Sequence, residues 1–336
     1  MEFCAVSEES LKKAAAVLAG GGLVAFPTET VYGLGADAFN PIALAKVFAV
    51  KGRPRFDPLI IHIAAVRTLE KIANLSPLSG AARKRLDLLA ETFWPGPLSL
   101  VLPKQQAVPG LATGGLATVA LRFPSHPAAR RLIALSGGAL AAPSANPFGR
   151  LSPTRAAHVR DQLGDKVDII LDGGPAELGV ESTVLDLCAE RPRILRPGGV
   201  PREKIEALIG ACGTGAADSE AVASPGMLKS HYAPRTPLAV FSREEIIALP
   251  GSIDDEAAFL FFDSGSRDAW QAGKTRIHAP VKTLSDTGAA LEAAANLFEY
   301  LHELDRSGVI CINAQLAPEQ GLGAAINDRL RRAACR

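Results

Sequence analysis

The chain has 336 residues, of which 48% are hydrophobic, and a formal net charge of +1. This length is enough for two domains with buried cores, and the near-zero charge excludes a global field that would drive the protein onto nucleic acid or an anionic membrane. The first residues lack the basic and apolar regions of a signal peptide, and no apolar run is long enough to span a bilayer. We therefore expect a cytoplasmic protein.

The cysteines and histidines show no metal-binding pattern. The five cysteines are widely spaced without a C-x-x-C pair, and the six histidines form no H-E-x-x-H motif. A disulfide framework or a thiolate zinc site is therefore not expected. If the protein uses a metal, we expect it to arrive with a nucleotide.

The first two hundred residues alternate between helix and strand patterns. Ser7 precedes a predicted helix over 8–19, and Pro41 opens another that reaches about residue 50. Further helices are predicted near 79–92, 126–135 and 153–163. Short apolar runs predict strands at 22–27, 59–63, 98–102, 118–123, 139–143, 167–171 and 182–187. This order predicts a mixed α/β domain over 1–209, built on one mostly buried sheet.

The composition changes after Ile209. Residues 210–226 are small, polar and glycine-bearing, and we predict a linker or lid over 210–236. Beyond it, strands at 237–241, 257–262 and 308–313 alternate with helices at 287–306 and 322–334, which predicts a smaller Rossmann-like α/β domain over 237–336. This domain lacks a G-x-G-x-x-G fingerprint, so a dinucleotide role is not expected, whereas a regulatory or docking role stays open.

Two polar segments follow predicted strands early in the chain, where open α/β sheets bind ligands. Residues 27–35 read P-T-E-T-V-Y-G-L-G and would otherwise be a turn with a capping threonine. The segment 51–58 carries Lys51, Arg53 and Arg55, which suit phosphate but would also suit a solvated basic loop. His62, on the next apolar strand, would alternatively be a core histidine.

Two further polar segments follow later strands. In 143–154, hydroxyl, amide and glycine groups would build a nest of donors for phosphate, although Ser152 or Thr154 would also serve as the cap of the next helix. The fourth segment combines E-S-T-V at 181–184 with an arginine at 196, which would either reach phosphates or be a surface charge.

In this order, the segments resemble the YrdC family of threonylcarbamoyl-AMP synthases. The resemblance covers nearly the whole chain, since 224–227 and 231–234 are similar to the linker of the long, two-domain form and 321–330 to the end of its second domain. It implies a YrdC-like mixed α/β domain with a deep cavity. The matching stretches are P-T-E-T-V-Y-G-L-G, K-G-R-P, D-P-L-I-I-H, W-P-G-P-L, A-L-R-F-P, P-S-A-N, S-P-T, E-S-T-V and L-R-P-G.

The resemblance implies a nucleotidyltransferase that converts L-threonine, bicarbonate or CO₂, and ATP into threonylcarbamoyl-AMP and pyrophosphate. This is the first step in making the threonylcarbamoyladenosine of ANN-decoding tRNAs at position 37. Mg²⁺ would come with ATP, without metal ligands from the protein. The downstream partner would be the tRNA threonylcarbamoyl-transferase machinery, with at most weak contact to RNA and none to a membrane.

The family's functional residues transfer onto matching positions of this sequence. Threonine would be held by Thr30, His62, Arg122 and Ser182. ATP would be held by Lys51, Arg53, Asp57, Thr118, Ser144, Asn146, Ser152, Arg196 and Tyr232. Lys51 and Arg53 would also be catalytic by neutralising phosphate charge, and Tyr232 would close over the nucleotide as part of a lid.

Position 57 departs from the family motif, which more often has Asn there. An acid near the triphosphate would repel it unless the acid meets Mg²⁺ or Arg55. Alternatively, Asp57 holds a neighbouring cation in place.

Two other functions compete with this interpretation. A nucleic-acid-binding module would use the same cations on a concave face, but the low aromatic content of 5% and the balanced charge argue against it. A carbamoyl-transfer enzyme of hydrogenase maturation would carry extra acylphosphatase and zinc-finger-like segments, and the chain lacks the cysteine pairs for them.

Overall fold

The computed structural model describes residues 1–215, 231–250, 256–272, 274 and 278–335. Contacts divide these residues into two compact units. The first contains the described residues up to 215 except 149–152 and 178–180, which belong with the described residues from 231 onward in the second unit. Much of the predicted linker, including the motif at 224–227, lies outside the described residues. No helix in the described part of the chain is long and apolar enough to cross a bilayer.

The first unit is built on a mixed sheet flanked by helices. Its strands are β1 (Glu2–Ala5), β2 (Val24–Phe26), β3 (Gly33–Asp37), β4 (Ile60–Ile63), β5 (Leu98–Pro103), β6 (Thr118–Arg122), β7 (Ala139–Ala141), β8 (Ile169–Asp172), β9 (Thr183–Asp186), β10 (Arg193–Arg196) and β11 (Gly213–Thr214). Its helices are α1 (Glu8–Ala19), α2 (Pro41–Lys51), α3 (Leu69–Ile72), α4 (Gly80–Phe93), α5 (Pro127–Leu135), α6 (Ala156–Leu163) and α7 (Arg202–Ile209).

Over the described residues, these strands form one sheet in the order β1-β8-β2-β3-β7-β4-β6-β5-β9-β10-β11. β4 and β6 are parallel, whereas β5 and β6 are antiparallel. All four residues of the central strand β4 are buried, as expected for a strand covered on both faces. The mixed α/β prediction is therefore confirmed.

Local sequence explains why α2 ends at the site described below. The Asn40 side chain accepts hydrogen bonds from the backbone N–H groups of Ile42 and Ala43, and Pro41 occupies the first turn. Gly52 then ends the helix in the left-handed conformation, with a φ of 62°. Lys51 is consequently fixed at the last position of the helix.

The second unit is a parallel sheet with intervening helices. After β12 (Leu238–Phe241) come α8 (Arg243–Ala248), β13 (Ala257–Asp263), α9 (Ser264–Gln271), β14 (Val281–Ser285), α10 (Ala290–Asp305), β15 (Cys311–Gln315) and α11 (Gly323–Ala334). The described strands lie in the order β12-β15-β13-β14, and every pair is parallel. This parallel α/β arrangement is compatible with the predicted Rossmann-like class.

Candidate active site

A row of polar side chains crosses the centre of the first unit's sheet. His62 on β4 is paired with Arg122 on β6, and Arg122 is paired with Ser99 on β5. Paired residues on neighbouring strands point to the same face, and neighbouring strands lie about 4.8 Å apart. These three side chains, all buried, therefore line one face of the sheet within about two strand spacings of each other.

His62 is held in one neutral form. Burial is the main reason that the pKa of His62 falls from 6.5 to about 3, with the nearby Arg122 charge as the second cause. Its Nδ1 lies 3.2 Å from the Ile60 carbonyl oxygen. Because a carbonyl can only accept, this contact places the ring proton on Nδ1 and leaves Nε2 as the acceptor.

Arg122 contacts a buried carboxylate that the motif analysis did not single out. Its Nη2 lies 2.8 Å from Oε1 of Glu29, and both side chains are about 5% exposed or less. The alignment is too poor for a hydrogen bond, since neither Glu29 oxygen nor Arg122 Nη2 has a hydrogen-bond partner. Glu29 lies within the P-T-E-T motif, so the segment was recognised from sequence but this residue's contact was not.

The hydroxyl groups beside Glu29 have a defined hydrogen-bond direction. Thr28 Oγ1 donates to the Val31 carbonyl at 2.6 Å and lies 2.8 Å from Thr30 Oγ1. Because a hydroxyl has one proton, Thr30 must donate to Thr28. The oxygen of Thr30 therefore keeps its remaining lone pairs as acceptors.

Ser182 connects Ser99 to Arg196. The hydroxyls of Ser99 and Ser182 are 2.8 Å apart, and Arg196 donates to both the carbonyl and the hydroxyl of Ser182. Arg196 is only 4% exposed, so the alternative of a surface charge is wrong. Ser99 was missed as a site residue, although a lone serine within the apolar run L-S-L-V-L was a usable signal.

Lys51 joins two of the predicted segments. Its Nζ donates to the carbonyl oxygens of Ser144 and Asn146 at 2.6 and 2.5 Å. Burial lowers the pKa of Lys51 well below 10.5, and the neighbouring Arg53 charge lowers it further. A solvated basic loop is therefore a wrong description of Lys51.

Asp57 pairs with Arg53, not with Arg55. Nη2 of Arg53 lies 2.8 Å from Asp57 Oδ1, and both side chains are buried, whereas Arg55 is exposed. Arg53 also donates to the carbonyls of Asp57 and Pro58. Burial raises the pKa of Asp57, and the charge of Arg53 opposes that rise. The suggested contact with Arg55 is thus wrong, while the alternative that Asp57 holds a neighbouring cation is confirmed.

Electrostatic coupling links these groups into one site of the first unit. The Asp57 carboxylate interacts with the charges of Arg53, Lys51 and Arg196. The negative charges of Asp57 and Glu181 attract the Lys51 ammonium group and partly oppose the lowering of its pKa. Thr118 lies apart, at the start of β6, about 13 Å along that strand from Arg122 at its other end.

Ser152 and Tyr232 belong to the second unit. The Ser152 carbonyl accepts a hydrogen bond from His302 Nε2 at 3.1 Å. The N-cap residue of α6 is Arg155, so neither Ser152 nor Thr154 caps that helix. Tyr232 is buried, has a φ of 62°, and lies under the Arg329 guanidinium at 5.2 Å.

The described residues contain no cluster of three or more His, Cys, Asp or Glu side chains that could hold a metal. The charged groups of the first unit suit anionic ligands. Arg122 can bind a carboxylate, whereas Lys51, Arg53 and Arg196 together suit phosphates.

Comparison with known proteins gives the family. Residues 16–198 match the Sua5, YciO and YrdC family, described as telomere recombination, and residues 200–335 match the C-terminal domain of threonylcarbamoyl-AMP synthase. The threonylcarbamoyl-AMP synthase of Pyrococcus abyssi is 43% identical over 339 residues, covering 98% of this chain and 95% of that protein. The chain belongs to the threonylcarbamoyl-AMP synthase family.

Other members of the threonylcarbamoyl-AMP synthase family are also similar to this chain over nearly its whole length. The Bacillus subtilis synthase is 41% identical, covering 98% of this chain and 94% of its own. The crystal structure of P. abyssi Sua5 complexed with L-threonine matches with a TM-score of 0.88 at 40% identity, covering 99% of this chain and 97% of that chain. The family resemblance seen in the sequence motifs is confirmed.

Proposed function

We propose that this protein converts L-threonine, bicarbonate or CO₂, and ATP into threonylcarbamoyl-AMP and pyrophosphate, as a cytoplasmic nucleotidyltransferase. The observation that carries the proposal is the set of buried cations in the first unit, in a chain whose full-length relatives are threonylcarbamoyl-AMP synthases. Buried cations are costly unless something compensates them, so a concentration of them in one site indicates anionic ligands. This reaction would be the first step of threonylcarbamoyladenosine synthesis on tRNA.

Threonine would be bound along the row that crosses the sheet. Arg122 would bind the carboxylate, because its guanidinium is always charged and can donate two parallel hydrogen bonds. Neutral His62 would accept a hydrogen bond from the threonine hydroxyl through Nε2. Thr30 and Ser182 would make further polar contacts with the bound threonine.

ATP would be bound by the cationic part of the site. Lys51, Arg53 and Arg196 would contact the phosphates, and Ser144 and Asn146 would lie beside them because Lys51 holds their backbone. Asp57 would act through Arg53, which it orients. Roles for Thr118, Ser152 and Tyr232 at the nucleotide stay predictions of the family resemblance.

The chemistry would require positioning and charge stabilisation. The threonine ammonium group first loses a proton, and the amine then forms a bond to carbon: with CO₂ it gives the carbamate and a second proton leaves, whereas with bicarbonate a C–O bond breaks and water leaves. A carbamate oxygen then attacks the α-phosphorus. The bond from the α-phosphorus to the bridging oxygen breaks, and pyrophosphate leaves with the electron pair. Lys51 and Arg53 would stabilise the charge that develops on the phosphate oxygens, without a covalent enzyme intermediate.

Mg²⁺ would enter with ATP. Bound to phosphate oxygens, it would neutralise part of their charge. The labile product would then pass to a tRNA threonylcarbamoyl-transferase.

The test is pyrophosphate release by the full chain with ATP, Mg²⁺ and bicarbonate, with and without L-threonine. We expect release that requires both threonine and bicarbonate. Release without threonine would indicate another ATP-splitting activity, and no release together with tight RNA binding at physiological salt would support the nucleic-acid-binding alternative.

A further inference from the structure

Glu29 presents an unusual electrostatic feature in the first unit. Its side chain is 4% exposed, and neither carboxylate oxygen accepts a hydrogen bond. A buried carboxylate normally has several hydrogen-bond donors, because losing its hydration without replacement is costly. Glu29 therefore has acceptor capacity that the protein itself does not use.

The nearby cations do not supply those donors. Arg122 lies 2.8 Å from Oε1, but its alignment leaves its own Nη2 without a hydrogen bond. His126 Nδ1 accepts a hydrogen bond from the backbone N–H of Ala128, and neither Glu29 oxygen accepts one from the His126 ring. Each member of the Glu29–Arg122 pair can thus take another partner.

We propose that Glu29 binds the α-ammonium group of the amino-acid substrate while Arg122 binds its α-carboxylate. This assignment rests on the proposed function and adds a specificity residue to it. A zwitterion carries both charges on adjacent groups, so it can lie across a contacting Glu–Arg pair and satisfy both. The unused oxygens of Glu29 and the unused Nη2 of Arg122 then gain partners together.

Thr30 supports the same assignment. Its hydroxyl donates to Thr28 and so keeps lone pairs available as acceptors, next in sequence to Glu29. An ammonium group has three protons to donate and no acceptor capacity. The carboxylate and the acceptor hydroxyl of these consecutive residues offer what an amine requires, whereas a second carboxylate would find no donor in either.

The assignment also explains how substrate and product would differ at this position. Once the nitrogen becomes part of a carbamate, it no longer carries a positive charge. Its attraction to Glu29 is then lost, while the carboxylate can still contact Arg122. Glu29 would therefore favour free threonine over the carbamoylated form.

The experiment compares two ligands by calorimetry on the full chain: L-threonine and its 2-hydroxy analogue, in which a hydroxyl replaces the ammonium group. Wild-type protein should bind threonine about tenfold to a hundredfold more tightly than the analogue, the range for one charged hydrogen bond. Glu29→Gln keeps the side-chain size but removes the charge, and it should bring the two affinities within about threefold. Glu177→Gln removes an exposed carboxylate that, like Glu29, is near enough to His126 to influence its pKa; it is the matched control and should keep the wild-type ratio.

ATP affinity and the unfolding temperature are measured on each variant. Equal losses for threonine and the analogue in Glu29→Gln would overturn the proposal, because Glu29 would then act only by orienting Arg122. If that variant does not fold, the wild-type ratio decides alone, and equal wild-type affinities for both ligands would also overturn it. A wild-type protein that neither binds threonine nor releases pyrophosphate would instead refute the proposed function.

Discussion

Replacing Lys51 with methionine should remove most of the proton uptake that accompanies ATP binding. In the ligand-free protein, burial and Arg53 hold the pKa of Lys51 well below 10.5. Its ammonium group donates to two backbone carbonyls, which carry no net charge. Phosphates beside it would favour the charged form, so the pKa should rise when ATP binds.

The size of the effect follows from linkage. Between the pKa of Lys51 in free protein and its higher value with ATP, binding should take up about one proton, and ATP affinity should fall about tenfold per pH unit. Below both pKa values the lysine is charged throughout, and its uptake disappears. The ATP phosphates also titrate, but their contribution is common to wild type and variant.

The assay is calorimetry of ATP binding in pairs of buffers with different ionisation enthalpies, from pH 6 to 10. Lys51→Met is compared with Lys46→Met, which removes an exposed lysine from the same helix. We expect the control to follow wild type and Lys51→Met to lose the uptake. Identical proton uptake by wild type and Lys51→Met at every pH would refute the reasoning.

Two further predictions concern His62 and Asp57. Because the pKa of His62 is lowered to about 3, its ring stays neutral between pH 5 and 8. Threonine affinity, measured by calorimetry across this range, should therefore show no change that depends on His62. A change in affinity near pH 6.5 that is lost in His62→Gln would contradict this. Asp57→Asn removes a negative charge but keeps an acceptor for Arg53, so we expect ATP to bind several-fold more tightly, by about 1 kcal/mol, without loss of the folded state. Calorimetry and thermal unfolding check this, and weaker ATP binding by a stable Asp57→Asn protein would show that the carboxylate itself serves the nucleotide.

Elements with strong local signals were predictable from the sequence. The predicted helix over 8–19 agrees with α1 because Ser7 caps it with a reciprocal capping box and Gly20 ends it. β3 was missed because two glycines and an adjoining polar motif hide its strand pattern, and it forms by pairing with β2. β15 begins later than predicted, at Cys311, after Gly308 with a φ of 81°.

The site could be predicted as a set of segments but not as a set of contacts. Motif order placed Arg122 and Lys51 among the functional residues, since each lies in a recognisable stretch. Whether Asp57 meets Arg53 or Arg55 depends on loop geometry, which spacing alone does not determine. The contact between Glu29 and Arg122 joins residues 93 positions apart in sequence, so it emerges only when the sheet has formed.

The two parts of the site differ in charge in a way that matches their proposed ligands. Where threonine would bind, Glu29 balances Arg122 and His62 is neutral, so the protein offers an approximately neutral surface to a zwitterion with no net charge. Where ATP would bind, three cations face the carboxylates of Asp57 and Glu181, which leaves an excess of positive charge when Lys51 is protonated. Because burial and Arg53 lower the pKa of Lys51 in the free protein, a bound anionic ligand should stabilise its charged form. Selectivity for a zwitterion beside a polyanion would therefore follow from how each buried cation is paired, and not from the number of cations alone.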